Sequence, residues 1–336
     1  MRATAEGNRQ KGKVAGSYFI LHSSACILGC ALAGNAALAQ PYPARPIRLM
    51  AAGVGGGNDY IARLLADKLG EQIGQRIVVE NRPGAGGIVA TTQVARAAPD
   101  GYTLLVGVAG PLAMLPHVEK VQYSPFKDFA GVSLLASSYH VLAVHPSLPV
   151  RSVKQLIALA KARPGELNYA SAGMWTPTHL TPELFKSAAG VGIVPVFYKG
   201  AAPSVIAVVS GEAHMVFAGV TVVMPQVHDR RLAALAVTSP ARLSLAREVP
   251  TLLESGLAGV EAPSWYALVA PAGTPGEVIA RLHGEIVKLS AAPDYREQLE
   301  RQAFEPRTSM PEQFAAFLQA EYEKWGRVIQ ATGLKQ

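Results

Sequence analysis

Short apolar runs alternate with amphipathic stretches from about residue 40 to the C-terminus. The run Ile47-Arg48-Leu49-Met50-Ala51 has the length and composition of a buried strand. Residues 60–69 then place apolar side chains at helical spacing, with Gly70 as the expected stop. The plan repeats in a strand at 77–80, a glycine turn, and a helix at 88–97. Further strands are expected at 103–108, 141–144, 168–170, 193–198, 215–218, 232–238 and 265–271. Ser152 caps a helix to Ala162 that Arg163-Pro164-Gly165 ends, and another helix opens at 199–204 and stops at Gly211. Thr251 and Glu254 form a capping box. Thr274-Pro275 and Ser309-Met310-Pro311-Glu312 open two more helices. The last of these runs to about Ala331 with Phe314, Phe317, Leu318, Tyr322, Trp325 and Ile329 on one stripe. Alternation of this kind implies an α/β fold with parallel-rich sheets, helices on both faces, and ligands beyond the carboxyl ends of the strands.

Two glycine-rich turns stand where a strand ends and a helix begins: 52–59 and 80–87. Backbone N–H groups there are unpaired and the helix dipole is positive, so each turn is a ready anion site. Glycine lets a ligand approach the backbone closely. Neither turn is a nucleotide loop: both lack the last glycine of the dinucleotide fingerprint, and no GK[ST] follows. The anion they suit is smaller than a pyrophosphate, and two such turns on neighbouring strands can close on one carboxylate. The bland alternative is that the glycines only make tight connections.

Residues 1–39 stand apart from this pattern. Arg2, Arg9, Lys11 and Lys13 lead into an apolar, small-residue stretch that ends Ala37-Leu38-Ala39 before Gln40, as a secretory signal peptide does. His22, Ser23, Ser24 and Asn35 break the stretch too often for a membrane span. An alternative exit is lipidation at Cys30, after Ile27-Leu28-Gly29. Both cysteines, Cys26 and Cys30, lie in this segment, so the mature chain has no disulfide, thiolate nucleophile or cysteine–metal site. Removing it takes four basic residues and Glu6, so the net charge falls from +7 to +4. That excess suits an anionic ligand and points to no nucleic-acid partner.

Enzyme signatures are missing. The seven histidines beyond the signal form neither H-E-x-x-H nor another zinc spacing, and there is no G-x-S-x-G elbow. Asp59 sits where an acid complements the start of a helix. The reading is a binding protein without catalytic residues, metal or cofactor.

Several motifs resemble one family, the substrate-binding proteins of tripartite tricarboxylate transporters, also called Bug or TctC proteins. Residues 55–63 are similar to its GG-x-x-D-x-x-A-R signature, and 80–87 to its E-N-R-P-G-A-G-G motif. Residues 98–104, 198–200, 249–251 and 270–275 add matches, so the resemblance covers nearly the whole mature chain. It implies a two-domain periplasmic binding protein, a type II clamshell, with the chain crossing between domains near 139–140 and 262–263. Domain one is then 41–139 with 264–336, and domain two is 140–263.

The function implied is capture of a small carboxylate and delivery to the membrane subunits of such a transporter. The alternative is a periplasmic sensor module that presents the ligand to a signalling partner. A monomer is expected. The carboxylate would lie on the amides of Gly55, Gly56, Gly57, Asn58 and Asp59, and on the turn of Pro83, Gly84, Ala85, Gly86 and Gly87. Domain two would close with Ser171, Gly173, Trp175 and His179, with Tyr198, Lys199, Gly200 and Ala201, and with Phe217 and Ala218. Each side chain has a plainer reading: Trp175 and Phe217 as core, His179 as a packed cap, Lys199 as solvated. The chain departs from the family pattern at His214 and Ala218, where acids are frequent, and at Met174 and Trp175, where small residues are usual. These departures lean towards an apolar or aromatic monocarboxylate, or a small dicarboxylate.

The leader yields a first prediction. Protein recovered from the periplasm should have the intact mass of a chain starting at Gln40. A mass starting at a lipidated Cys30 would replace the cleaved form with a membrane-tethered one.

Overall fold

Two sheets are built in turn, the second inserted into the first. The computed structural model describes residues 42–53, 56–260 and 263–332; the expected signal at 1–39 and Gly55 lie outside them. β1 (Ile47–Ala51) leads through the first glycine turn into α1 (Gly57–Ile73), and β2 (Ile77–Asn81) through the second into α2 (Ile88–Ala95). α1 buries Ile61, Leu64, Leu65 and Leu69 and runs on through Gly70 to a left-handed cap at Gly74. Gly70 is therefore no stop. It serves close approach, since a Cβ there would stand 3.1 Å from the Gln75 carbonyl.

β3 (Thr103–Val108) completes the parallel part of the first sheet, with β1 pairing both β2 and β3. β4 (Phe129–Ser138) and β5 (His140–Val144), parted by Tyr139, then carry the chain into the second sheet. That sheet adds β6 (Asn168–Ser171), β7 (Val194–Phe197), β8 (Met215–Gly219) and β9 (Ala233–Val237). Its helices are α3 (Val153–Ala162), α4 (Pro177–Ala189), α5 (Ala201–Val209) and α6 (Val220–His228). β10 (Ser264–Pro271) returns to the first sheet, followed by α7 (Gly276–Ala291), α8 (Pro293–Arg301), β11 (Phe304–Pro306) and α9 (Pro311–Thr332). The strand orders are β11-β4-β10-β3-β1-β2 and β7-β6-β8-β5-β9.

Both sheets are mixed. The parallel groups β2-β1-β3 and β7-β6-β8 carry the turns of interest. Strands that cross between sheets pair antiparallel, because the one that leaves and the one that returns run in opposite directions. β10 pairs β4 from Pro271↔Phe129 to Ser264↔Ser138, so both crossings lie side by side.

β4 escapes a reading by pattern because Gly131, Ser133 and Ser137 interrupt it. In place, Ser133 Oγ accepts from the Ser309 N–H at 3.1 Å, Ser309 Oγ accepts from the Leu134 N–H at 3.1 Å, and the Phe314 ring occupies the space of a Cβ on Gly131. α9 buries Phe314, Leu318, Trp325 and Ile329 as its stripe predicts, with Glu321 on the same face. Both buried indoles, Trp265 and Trp325, donate to Glu321 Oε2, at 3.0 and 3.1 Å. Such bonds to a charged acceptor are worth roughly 1.5–3 kcal/mol each and offset burial of the carboxylate. One buried cluster runs through both sheets, from Met50 and Leu105 to Leu142 and Phe217.

His140 opens β5 and is buried. Its N–H donates to Thr238 Oγ1 at 2.9 Å, and its Nδ1 lies 3.2 Å from Thr181 Oγ1. Burial pushes its pKa from 6.5 down to about 4. The neutral ring stabilises the fold fully above 6.5, and that contribution is lost as pH falls from 6.5 towards 4. Urea unfolding should show a loss of about 2–3 kcal/mol from this residue between about pH 7 and about pH 4.5. His140→Gln should flatten that part of the profile. Identical pH dependence in the two proteins would refute the assignment.

Candidate functional site

The first turn is held by side chains from behind. Gly56, the N-cap of α1, is extended, with φ −110° and ψ −175°, and no described side chain caps the helix. Asn58 Oδ1 accepts from the Ala52 N–H at 2.7 Å, and its Nδ2 donates to the Val106 carbonyl at 2.9 Å. Asp59 is buried and accepts from Asn81 Nδ2 at 2.8 Å and Arg63 Nε at 2.9 Å. Asn81 also donates to the Gly53 carbonyl. Asn58 and Asp59 are thus braces by their side chains. The Tyr266 hydroxyl fills the place of a Cβ on Gly57, so the start of α1 rests directly on β10.

The second turn closes on four residues of positive φ. Gly84, Ala85, Gly86 and Gly87 have φ of 133°, 46°, 63° and 101°. Gly84 to Gly86 are exposed, as is Pro83, and Gly87 is buried. A Cβ on Gly87 would stand 3.0 Å from Ala52 Cβ and 3.2 Å from Pro111 Cγ, so the turns after β1, β2 and β3 meet there. A Cβ on Gly86 would meet Leu115 Cδ1 at 3.0 Å, which is inward and not towards the open side. Arg82 does not reach for a ligand: its Nη2 donates to Glu80 Oε2 at 2.9 Å. Arg48 donates to Glu80 Oε1 at 2.7 Å, and this bond, aided by Arg82 and opposed by burial, holds the Glu80 carboxyl below its ordinary pKa.

The turn after β6 comes from the second sheet. Ser171 is buried and donates to the Gly173 carbonyl at 3.0 Å, while Thr178 Oγ1 accepts from the Ala172 N–H at 2.8 Å. Trp175 has φ 61°. A bulky residue there is an outlier that costs on the order of 1–3 kcal/mol. Its N–H donates to His179 Nδ1 at 3.2 Å, which assigns the ring proton of His179 to Nε2. His179 is buried, with its ring 5.7 Å from that of Trp175 and 5.2 Å from that of Phe197, both edge-on. Burial lowers its pKa; nearby Glu183 opposes that and Lys186 reinforces it. Glu183 is itself paired with Lys186 at 2.7 Å and accepts from the Tyr169 hydroxyl at 2.7 Å.

Gly110 joins the two halves. A Cβ on it would lie 3.6 Å from the Gly86 carbonyl oxygen and 3.7 Å from that of Trp175. The Trp175 turn therefore reaches the turns of the first sheet. Tyr198, Lys199, Gly200 and Ala201 lie beside it, because the Tyr198 N–H donates to the Ser171 carbonyl at 2.8 Å and the Gly200 N–H to the Ala172 carbonyl at 3.2 Å. Lys199 is exposed. Phe217 and Ala218 belong elsewhere. Both are 0% exposed, Phe217 packs on Phe185 with ring centroids 5.5 Å apart, and Ala218 pairs with Val141. β8 is an inner strand covered on both faces, so these two side chains are core, a correction to their place in the ligand-facing set. Pattern reading did not single out Tyr266 or Phe197; one looks like any strand aromatic, and the other shows only in its exposure. Among the described residues, no three His, Cys, Asp or Glu side chains gather closely enough to hold a metal ion.

Protein BugT of Bordetella pertussis strain Tohama I is 35% identical over 300 residues, covering 88% of this chain and 92% of its own. The solved structure of R. palustris Rpa4515 with adipate superposes with a TM-score of 0.79 at 34% identity, covering 87% of this chain and 98% of that one. MatC from Rhodopseudomonas palustris with bound malate gives 0.75 at 28% identity, covering 86% and 100%. The family model described as the tripartite tricarboxylate transporter family receptor, TctC, matches residues 61–334. Over that span the mixed two-sheet fold and the sequence agree, and the chain belongs to the TctC family of periplasmic solute-binding receptors.

Proposed function

We propose that the chain captures a small organic carboxylate between its two sheets and delivers it to the membrane subunits of a tripartite tricarboxylate-type transporter. The convergence at Gly110 carries this reading: the open turns of the first sheet face the Trp175 turn of the second. Amides at helix starts bind an anion without a cationic side chain. The adipate and malate held by two related structures are both carboxylates, which supports the same ligand class here. The ligand's carboxylate would rest on the backbone of Gly56 to Asp59 and of Gly84 to Gly87. The turns at Ser171 to His179 and Tyr198 to Ala201 would cover the rest. Residues 41–139 with 264–336 act as the holding body and 140–263 as the closing one. The adjacent crossings at Ser138 and Ser264 are the pivot. Binding proceeds without turnover, cofactor or metal, in the periplasm.

Calorimetry of the mature protein with chelator present should give one site for a carboxylate ligand, recovered unchanged. Chemical conversion of the ligand would overturn the binding-protein reading.

Three variants locate the carboxylate. Gly56 has ordinary extended backbone, and a Cβ there would meet nothing within 4 Å, so Gly56→Val should fold normally. It should weaken binding by about a hundredfold, since a bond to a charged group is worth roughly 1.5–3 kcal/mol and 1.4 kcal/mol is about tenfold. Arg82→Ala should stay within about threefold of wild type, because its guanidinium is an exposed partner of Glu80. Gly86→Val should lower the melting temperature as well as affinity, given its φ of 63° and the nearby Leu115. If Gly56→Val folds and binds as wild type does, the turns do not clamp the carboxylate.

A further inference from the structure

The Trp175 turn presents apolar surface where the tail of a carboxylate ligand would lie. Met174 is 50% exposed and Phe197 is 41% exposed, although both side chains are large and apolar. Phe197 ends β7 paired with Ser171, at the foot of the turn. Trp175 is half-buried beside them, and the buried ring of His179 lies edge-on beneath both aromatic rings, 5.7 Å from Trp175 and 5.2 Å from Phe197.

Trp175 also holds a backbone conformation that glycine adopts freely and a bulky residue resists. Surrounding groups impose it: His179 Nδ1 takes the Trp175 N–H, and Thr176 Oγ1 donates to the Gly173 carbonyl at 2.7 Å. Behind the turn the buried Glu183 carboxylate is paired with half-buried Lys186. A strained bulky residue in a place suited to glycine points to a use for its side chain.

We propose that Trp175 determines specificity: with Met174 and Phe197 it forms an apolar wall that selects a monocarboxylate with an aromatic or branched apolar tail over a dicarboxylate of similar length. This rests on the carboxylate reading above. An aromatic tail gains by packing against the indole. A second carboxylate would be stripped of water against three apolar side chains. His179 is a positioning residue that fixes the indole through the backbone of Trp175. Lys199, exposed two residues beyond Phe197, is the competing feature, since it would favour a second carboxylate.

The test is calorimetry with benzoate, phenylacetate, hexanoate, succinate and adipate, beside melting curves. Wild type should bind phenylacetate at least about tenfold more tightly than adipate. Trp175→Gly relieves the left-handed strain and should melt no lower than wild type, while the phenylacetate-to-adipate preference falls at least about tenfold. His179→Leu removes the acceptor and should erode that ratio likewise. His179→Asn, whose Oδ1 can take the same N–H, should restore it, which a merely structural role would not require. An unchanged ratio in a folded Trp175→Gly overturns this inference alone. So does a wild-type preference for adipate that Lys199→Ala abolishes. A wild type that binds none of the five overturns the carboxylate reading and this inference with it.

Discussion

A turn that offers its amides to a ligand cannot use them to hold itself, so other groups must impose its shape. On the carboxylate reading proposed above, that constraint accounts for the polar side chains around the glycine turns. Asn58 ties the end of β1 to β3, while Asn81 holds both Asp59 and the Gly53 carbonyl. In the second sheet Thr178 and Ser171 do the same for the turn after β6. These side chains are turned to the backbone and to one another. The polar side chains nearest the glycine turns are therefore their scaffold.

The same constraint explains what could be read in advance. Glycine turns between an apolar run and a helical pattern are local features, so both appeared in the sequence with their flanking strand and helix. The roles of Asn58 and Asp59 did not, because their partners, Val106 and Asn81, are brought near only by the sheet. Phe217 shows the opposite failure. It was expected among the residues that close over the ligand, yet β8 is an inner strand and its ring is spent on Phe185. β4 was hidden by Gly131, Ser133 and Ser137, of which Ser133 bonds Ser309 and Gly131 makes room for the Phe314 ring. Gly70 illustrates a helix that tolerates glycine in exchange for close packing on the following turn.

Mixed sheets follow from the insertion. Chain that must leave one sheet and come back supplies two strands of opposite direction, and β4 and β10 lie together as neighbours. The parallel groups are thereby pushed towards one edge of each sheet, which is where βα turns gather. α9 then packs over β4 and the turn at Gly110–Met114, so the last helix of the chain lies behind the third turn of the site.

The carboxylate shared by two indoles has a consequence for observation. Of the three tryptophans, Trp265 and Trp325 are each 2% exposed and fixed on Glu321, while Trp175 is half-buried on its turn. Emission from the first two is set by the core and shifts to the red only when α9 parts from β10. Emission from the third answers to whatever displaces water beside the turn. The chain thus carries separate optical reporters, one of unfolding and one of events at the Trp175 turn, without any added label.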